Sequence, residues 1–175
     1  MKLVAIAMIL FFVSACAHIG NQKERRISYG DDLVVFQLPD SWEAHIEEEG
    51  NGIYFNQAID SNALRLSVIS ITSKPDNTLQ VKDLLTKNHN NEKISHLTNG
   101  NLVKVYDEQS VENGVPISTR FWEVSHLVNS HCGRIAIFSY TTPIAYKDKA
   151  ATEAALSYLD KSIKSSNISS SSCRH

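Results

Sequence analysis

Glycine and proline are scarce, with 7 Gly and 4 Pro among 175 residues, which excludes a collagen-like repeat and a Pro-rich linker. Basic residues are not in excess. Lys and Arg total 17 against 19 Asp and Glu, a formal charge of −2, and a nucleic-acid-binding chain usually carries a marked basic surplus. No G-x-S-x-G, H-E-x-x-H, Walker A or G-x-G-x-x-G pattern occurs, so the common hydrolase, zinc-protease and nucleotide signatures are missing. No apolar run reaches the roughly 20 residues of a membrane-spanning helix. Cysteine is limited to Cys16, Cys132 and Cys173. Enough remains to build a core: 42% of residues are hydrophobic and 21% charged, a globular balance. The length suits one domain with tails.

The chain opens MKLVAIAMILFFVSAC. Lys2 supplies a positive start, and Leu3 to Val13 is uninterrupted apolar sequence of the length of a signal-peptide core. Val13-Ser14-Ala15-Cys16 resembles the lipobox of bacterial lipoproteins. That resemblance implies cleavage before Cys16, so that residues 1–15 are a signal peptide and Cys16 bears the lipid. The alternative is an ordinary secretory signal with Cys16 near the cut. Each buried acyl methylene contributes about 0.8 kcal/mol, so several chains hold a protein on a membrane where one does not. Ala17, in place of an Asp, implies sorting to the outer membrane, on its periplasmic side. Residues 16–29 are polar, with Lys23, Glu24, Arg25 and Arg26, and read as a tether. The alternative there is an extra N-terminal strand over Ile27 to Tyr29.

The domain proper is expected over residues 30–166. Val34, Phe36 and Leu38 alternate onto one face of a strand. Pro39-Asp40-Ser41-Trp42 then turns the chain. Strands follow over Trp42 to Glu49 and Ile53 to Gln57, joined at Gly50-Asn51-Gly52. Ala63 to Thr72 carries Leu64, Leu66 and Val68 on one face and Ile69 and Ile71 on the other, the pattern of a central strand covered on both sides. A helix is expected from Thr78 to Asn88, capped by Asn77 with Gln80 as its partner. Strands over Leu102 to Val111 and Val115 to Val128 flank the hairpin dipeptide Asn113-Gly114. Ile135 to Thr141 alternates again, and a last helix falls within Ala145 to Ser165, with Leu156, Leu159 and Ile163 in its stripe. The order is β-β-β-β-α-β-β-β-α, an α+β fold with an antiparallel sheet flanked by helices. Residues 167–175 are Ser-rich and read as a disordered tail.

The strand ending Leu38-Pro39, then Asp40-Ser41-Trp42 and a hairpin, resembles the f-x-l-P-x-x-W opening of the PsbP-like families, which include DcrB-like lipoproteins. Phe138-Ser139-Tyr140 and the closing helix ending Ile163-Lys164-Ser165-Ser166 are similar too. The resemblance implies an antiparallel sheet with flanking helices and a non-enzymatic binding or accessory role. It brings no catalytic residues.

Few residues carry chemistry. His126, His131 and Cys132, with Cys173 and His175 from the tail, are the candidate ligands for zinc or copper; the alternative places His126 on a strand face and His131 in a turn. A nucleophilic Cys132 needs a base, and only His126 offers one. In an oxidising compartment Cys132 and Cys173 form a disulfide, or they stay as two free thiols. Glu47-Glu48-Glu49 reads as a solvated hairpin end, and Trp42 and Trp122 as core. No cofactor, metal or nucleic acid is implied. The expected function is non-enzymatic: a lipid-anchored binding or accessory protein acting on an unknown protein partner. One version is an immunity lipoprotein that neutralises a periplasmic toxin; a metal-binding protein is the remaining rival.

Overall fold

The structure, a computed structural model, describes residues 23–46, 52–56, 62–74, 81–86, 94–171 and 173. Its strands are β1 (Glu24–Tyr29), β2 (Val34–Pro39), β3 (Trp42–Ile46), β4 (Gly52–Asn56), β5 (Ala63–Thr72), β6 (Ile94–His96), β7 (Leu102–Glu112), β8 (Val115–Asn129), β9 (Cys132–Pro143) and β10 (Asn167–Ile168). Helix α1 (Val81–Thr86) precedes β6, and α2 (Ala150–Lys164) follows β9 after a single 3-10 turn at Ile144–Tyr146. The strands form a seven-stranded sheet, β3-β4-β5-β9-β8-β7-β6, and a three-stranded sheet, β1-β2-β10. All their pairings are antiparallel. The fold is α+β, a large antiparallel sheet flanked by helices.

Register explains the core. Leu66 lies opposite Phe138, and Phe138 opposite Trp122. Val124 lies opposite Ala136 on one side and Val103 on the other. Strand pleating therefore turns all of them to one face. The small sheet and α2 close that face with Phe36, Leu38, Leu159 and Ile163. Phe36 meets Tyr54 and Phe138 edge-on, at ring separations of 5.7 and 5.2 Å. Burying each such side chain contributes about 1.5–3 kcal/mol. Both tryptophans belong to this core. Trp42 lies 6.1 Å from the Tyr140 ring, and the Trp122 indole N–H donates to Asp160 Oδ1 at 3.0 Å.

Helix α1 lies on the opposite face of the large sheet. Gly133 makes room for it: a side-chain carbon there would sit 2.8 Å from Val81 Cγ1 and 2.9 Å from Leu85 Cδ1. At the β7–β8 turn Asn113 and Gly114 have φ of 50° and 79°, the left-handed pair of a tight hairpin.

Four expectations need correction. Residues 24–29 are no tether but strand β1, paired with β2 from Glu24–Pro39 to Tyr29–Val34. Glu24, Arg26 and Ser28 stay outward, Ile27 is buried, and Arg25, half-buried on the side of Ile27, donates to the Trp42 carbonyl; the alternative strand over Ile27 to Tyr29 is the second half of β1. Residues 167–171 are no disordered tail. Strand β10 pairs with β2, and the Ser169 N–H donates to the Leu33 carbonyl at 2.9 Å. Strand β5 is covered on one face only, because Ile69 on its second face is 48% exposed. The short strand β6, Ile-Ser-His, was not expected at all. Cys16, Glu47 to Glu49, the turn residues 50–51, Asn77, Gln80 and His175 lie outside the described residues.

Candidate functional site

The side chains that alternate with the core form the second face of the large sheet. Here β5 gives Ile69, β9 gives Ile135 and Ile137, β8 gives Phe121, and β4 gives Phe55. Helix α1 packs on this face chiefly against β8 and β9. Beyond it Phe55 is 38% exposed, and Ile69 48%. Phe121 stacks on Tyr106 at 5.0 Å with an interplanar angle of 15°. The Tyr106 hydroxyl donates to Glu123 Oε1 at 2.7 Å, and Lys104 Nζ lies 3.2 Å from Glu123 Oε2. Between this polar group and α1 is a cavity of about 140 Å³, lined by Leu84, Leu85, Ile94, Leu102 and Ile135, with Lys104 and Glu123 at its polar side. A void of that size admits a few waters or a benzene-sized group. The face is mixed: Arg65 and Ser67 stand between Phe55 and Ile69 along β5, Ser139 lies opposite Arg65, and Glu43 and His45 lie opposite Phe55 and Ile53.

The candidate ligands go elsewhere. Cys132 is joined to Cys173 in a disulfide, with Cα atoms 6.0 Å apart, so neither sulfur is a thiolate. His126 Nδ1 lies 2.8 Å from Asn101 Oδ1, and Nε2 lies 3.1 Å from Ser170 Oγ. The Asn101 amide nitrogen points to the Ser166 carbonyl, so its oxygen faces the ring. Nδ1–H therefore donates, and Nε2 accepts from the Ser170 hydroxyl. Burial, and next the Arg134 charge, hold the His126 pKa below its ordinary value. His131 is exposed in the β8–β9 turn, 3.4 Å from Ser73 Oγ. Among the described residues no group of three or more His, Cys, Asp or Glu is placed to hold a metal. His126, His131 and Cys132 thus serve the C-terminal segment and its turn, and do not converge.

Sequence reasoning missed Arg134, which is 2% exposed. Its guanidinium donates to the Ser169 carbonyl and, at 2.7 Å, to the Ser171 carbonyl. It is the pin that holds the C-terminal segment to β9. A signal was present: Arg134 falls on the same alternation as Ala136 and Phe138, a charge at a core position that demands partners.

No protein-family model matches the chain, and no curated protein matches it. Solved structures do resemble it. A protein of Bacteroides thetaiotaomicron VPI-5482, known at 1.50 Å resolution, is 16% identical with a TM-score of 0.56 over 85% of this chain and 49% of that one. The chain spans about half of that protein's length, and the likeness is one of fold. Cyanobacterial PsbP (CyanoP) from Synechocystis sp. PCC 6803 is 16% identical over 90% of this chain and 99% of that one, with a TM-score of 0.40. LpqN, involved in cell envelope biogenesis of Mycobacterium tuberculosis, is 12% identical over 84% and 91%, with a TM-score of 0.47. The last two superpose too loosely to carry an argument.

Proposed function

We propose that this chain is a lipid-anchored envelope protein that acts by protein contact, as a binding or accessory module without covalent chemistry. The observation that carries the reading is the partly open second face of the large sheet. Ile69 and Phe55 stand exposed on the interior strands β5 and β4 of a large sheet, among the polar side chains of Arg65, Ser67, Glu43 and His45, a mixed surface of the kind that protein contacts use. The anchor rests on Lys2, the apolar run to Val13, and Cys16; the outer membrane, periplasmic side, rests on Ala17.

The test is affinity capture from detergent-solubilised envelopes, with Cys16→Ser as the unanchored control and Ile69→Asp with Phe55→Asp as the face control. A stoichiometric partner that disappears with the face variant supports the reading. A clean protein, or a partner indifferent to the face variant, removes it. Failure of Cys16→Ser to release the protein from the envelope fraction removes the anchor alone.

A further inference from the structure

Strand β7 runs from Leu102 to Glu112, but β6 pairs with it only as far as Lys104. Among the described residues no strand lies beside the stretch from Val105 to Glu112. The direction of its backbone groups follows from the hairpin. A two-residue turn at Asn113-Gly114 makes Glu112–Val115 a hydrogen-bonded pair. Counting back by two, Val105, Asp107, Gln109 and Val111 turn their N–H and C=O groups away from β8. Edges of this length are ordinarily blunted by a bulge, a proline or a lysine. This one has no bulge, since the β7–β8 register is unbroken over its whole length, and no proline or lysine; its charges, Asp107, Glu108 and Glu112, are all acidic, which guards it against like-charged strands and leaves it open to basic ones.

The charges choose the occupant. Asp107 is held by Arg120 through bonds of 2.7 and 2.8 Å, on the face shared with Val105 and Val111. Glu108 and Glu112 are exposed on the other face, four residues apart, or roughly 13 Å along a strand. A second copy would set this acidic edge against itself. A basic strand would not.

We propose that the β7 edge is a strand-addition site for an extended partner segment carrying two basic residues. The segment runs antiparallel to β7. Its basic residues sit opposite Glu112 and Glu108, and an apolar residue sits opposite Val111, which is 66% exposed. The recognition pattern is basic, apolar, any, any, basic. Backbone hydrogen bonds supply affinity and the alternating side chains supply choice. Glu108 and Glu112 project on the side of Tyr106, but the proposal needs the backbone edge of β7, which the Ile69 and Phe55 variants leave untouched, so it stands or falls independently of the proposed function.

The test uses the whole protein and a fluorescent peptide, Thr-Lys-Val-Thr-Ser-Lys-Val-Thr, read by anisotropy. A second peptide has the same sequence but is N-methylated at both valines and the serine, the residues whose N–H groups would face the edge. Its charge is unchanged and the protein is untouched. Methylation should weaken binding about a hundredfold, the loss of three main-chain bonds. Glu108→Lys with Glu112→Lys should weaken the unmethylated peptide about tenfold and favour its Glu-for-Lys counterpart. Equal binding of the two peptides would show charge attraction alone and overturn the proposal. So would absence of binding, or indifference to the charge reversal.

Discussion

Cutting the Cys132–Cys173 bridge should cost the fold about 4 kcal/mol. The two residues are 41 apart in sequence, and closing a loop of that length removes about that much unfolded-chain entropy in the polymer model. For a chain of this size each kcal/mol moves the melting midpoint by roughly 2–4 °C, so the fall should be roughly 8–16 °C. The native contacts of the tail survive the cut. Arg134 still grips the Ser169 and Ser171 carbonyls, and β10 still pairs with β2. The effect should therefore appear in global stability, with little loss of hydrogen-exchange protection at Ser169 under native conditions. The assay is thermal unfolding of the wild type and Cys173→Ser, with and without reductant. Reductant should bring the wild type to the midpoint of the variant and leave the variant unmoved. A fall smaller than about 3 °C would refute the loop-entropy reasoning.

Two further outcomes are expected. The folded state holds His126 with its pKa below 6.5, through burial and then the Arg134 charge, so the unfolded chain binds a proton that the native chain refuses. This contribution is complete above pH 6.5 and is lost as pH falls from there to the folded pKa. Denaturant midpoints between about pH 8 and pH 5 should show that slope, and His126→Gln should flatten it; an unaltered slope in the variant excludes His126 as its source. Gly133→Ala places a methyl within 2.8 Å of Val81 and 2.9 Å of Leu85, and overpacking of this kind costs about 1–3 kcal/mol. Amide exchange should rise in α1 before it rises in β9, and uniform or unchanged exchange would show that α1 does not depend on this contact.

What was legible in the sequence was what short-range chemistry decides. Asn113-Gly114 announces its hairpin because so few dipeptides accept two left-handed residues. Val34, Phe36 and Leu38 announce β2 because one face of that strand is wholly buried. The first half of β1 was hidden by Glu24, Arg25 and Arg26, and only Ile27 to Tyr29 stood as an alternative strand: as an edge strand it buries only Ile27 among its six residues, too little to print a pattern. Strand β10 was hidden in a serine tract because its partners are remote. Arg134, the disulfide and the side chains of Asn99 and Asn101, which both donate to the Ser166 carbonyl, fix it from outside. The site divides in the same way. Ile69 and Ile71 declare a second apolar face, but whether a helix covers that face depends on where α1 lands, and α1 lands over Gly133. The β7 edge was illegible for a simpler reason, since among the described residues its pairing ends with β6, which has three residues.

Strand β2 sits in the middle of its sheet, with β1 on one side and β10 on the other. Both ends of the described chain are thus fastened to the same strand. Tension arriving through the chain ahead of Glu24 would enter the domain at β1. Of the six rungs from Glu24–Pro39 to Tyr29–Val34, it would meet first the one at Glu24–Pro39, the open end of the β1–β2 hairpin. The far side of β2 is braced by β10, which the disulfide ties back to β9. The small sheet is thus the part of the domain that a pull on the leading segment reaches first, with β2 and β10 as the backing that remains if β1 peels.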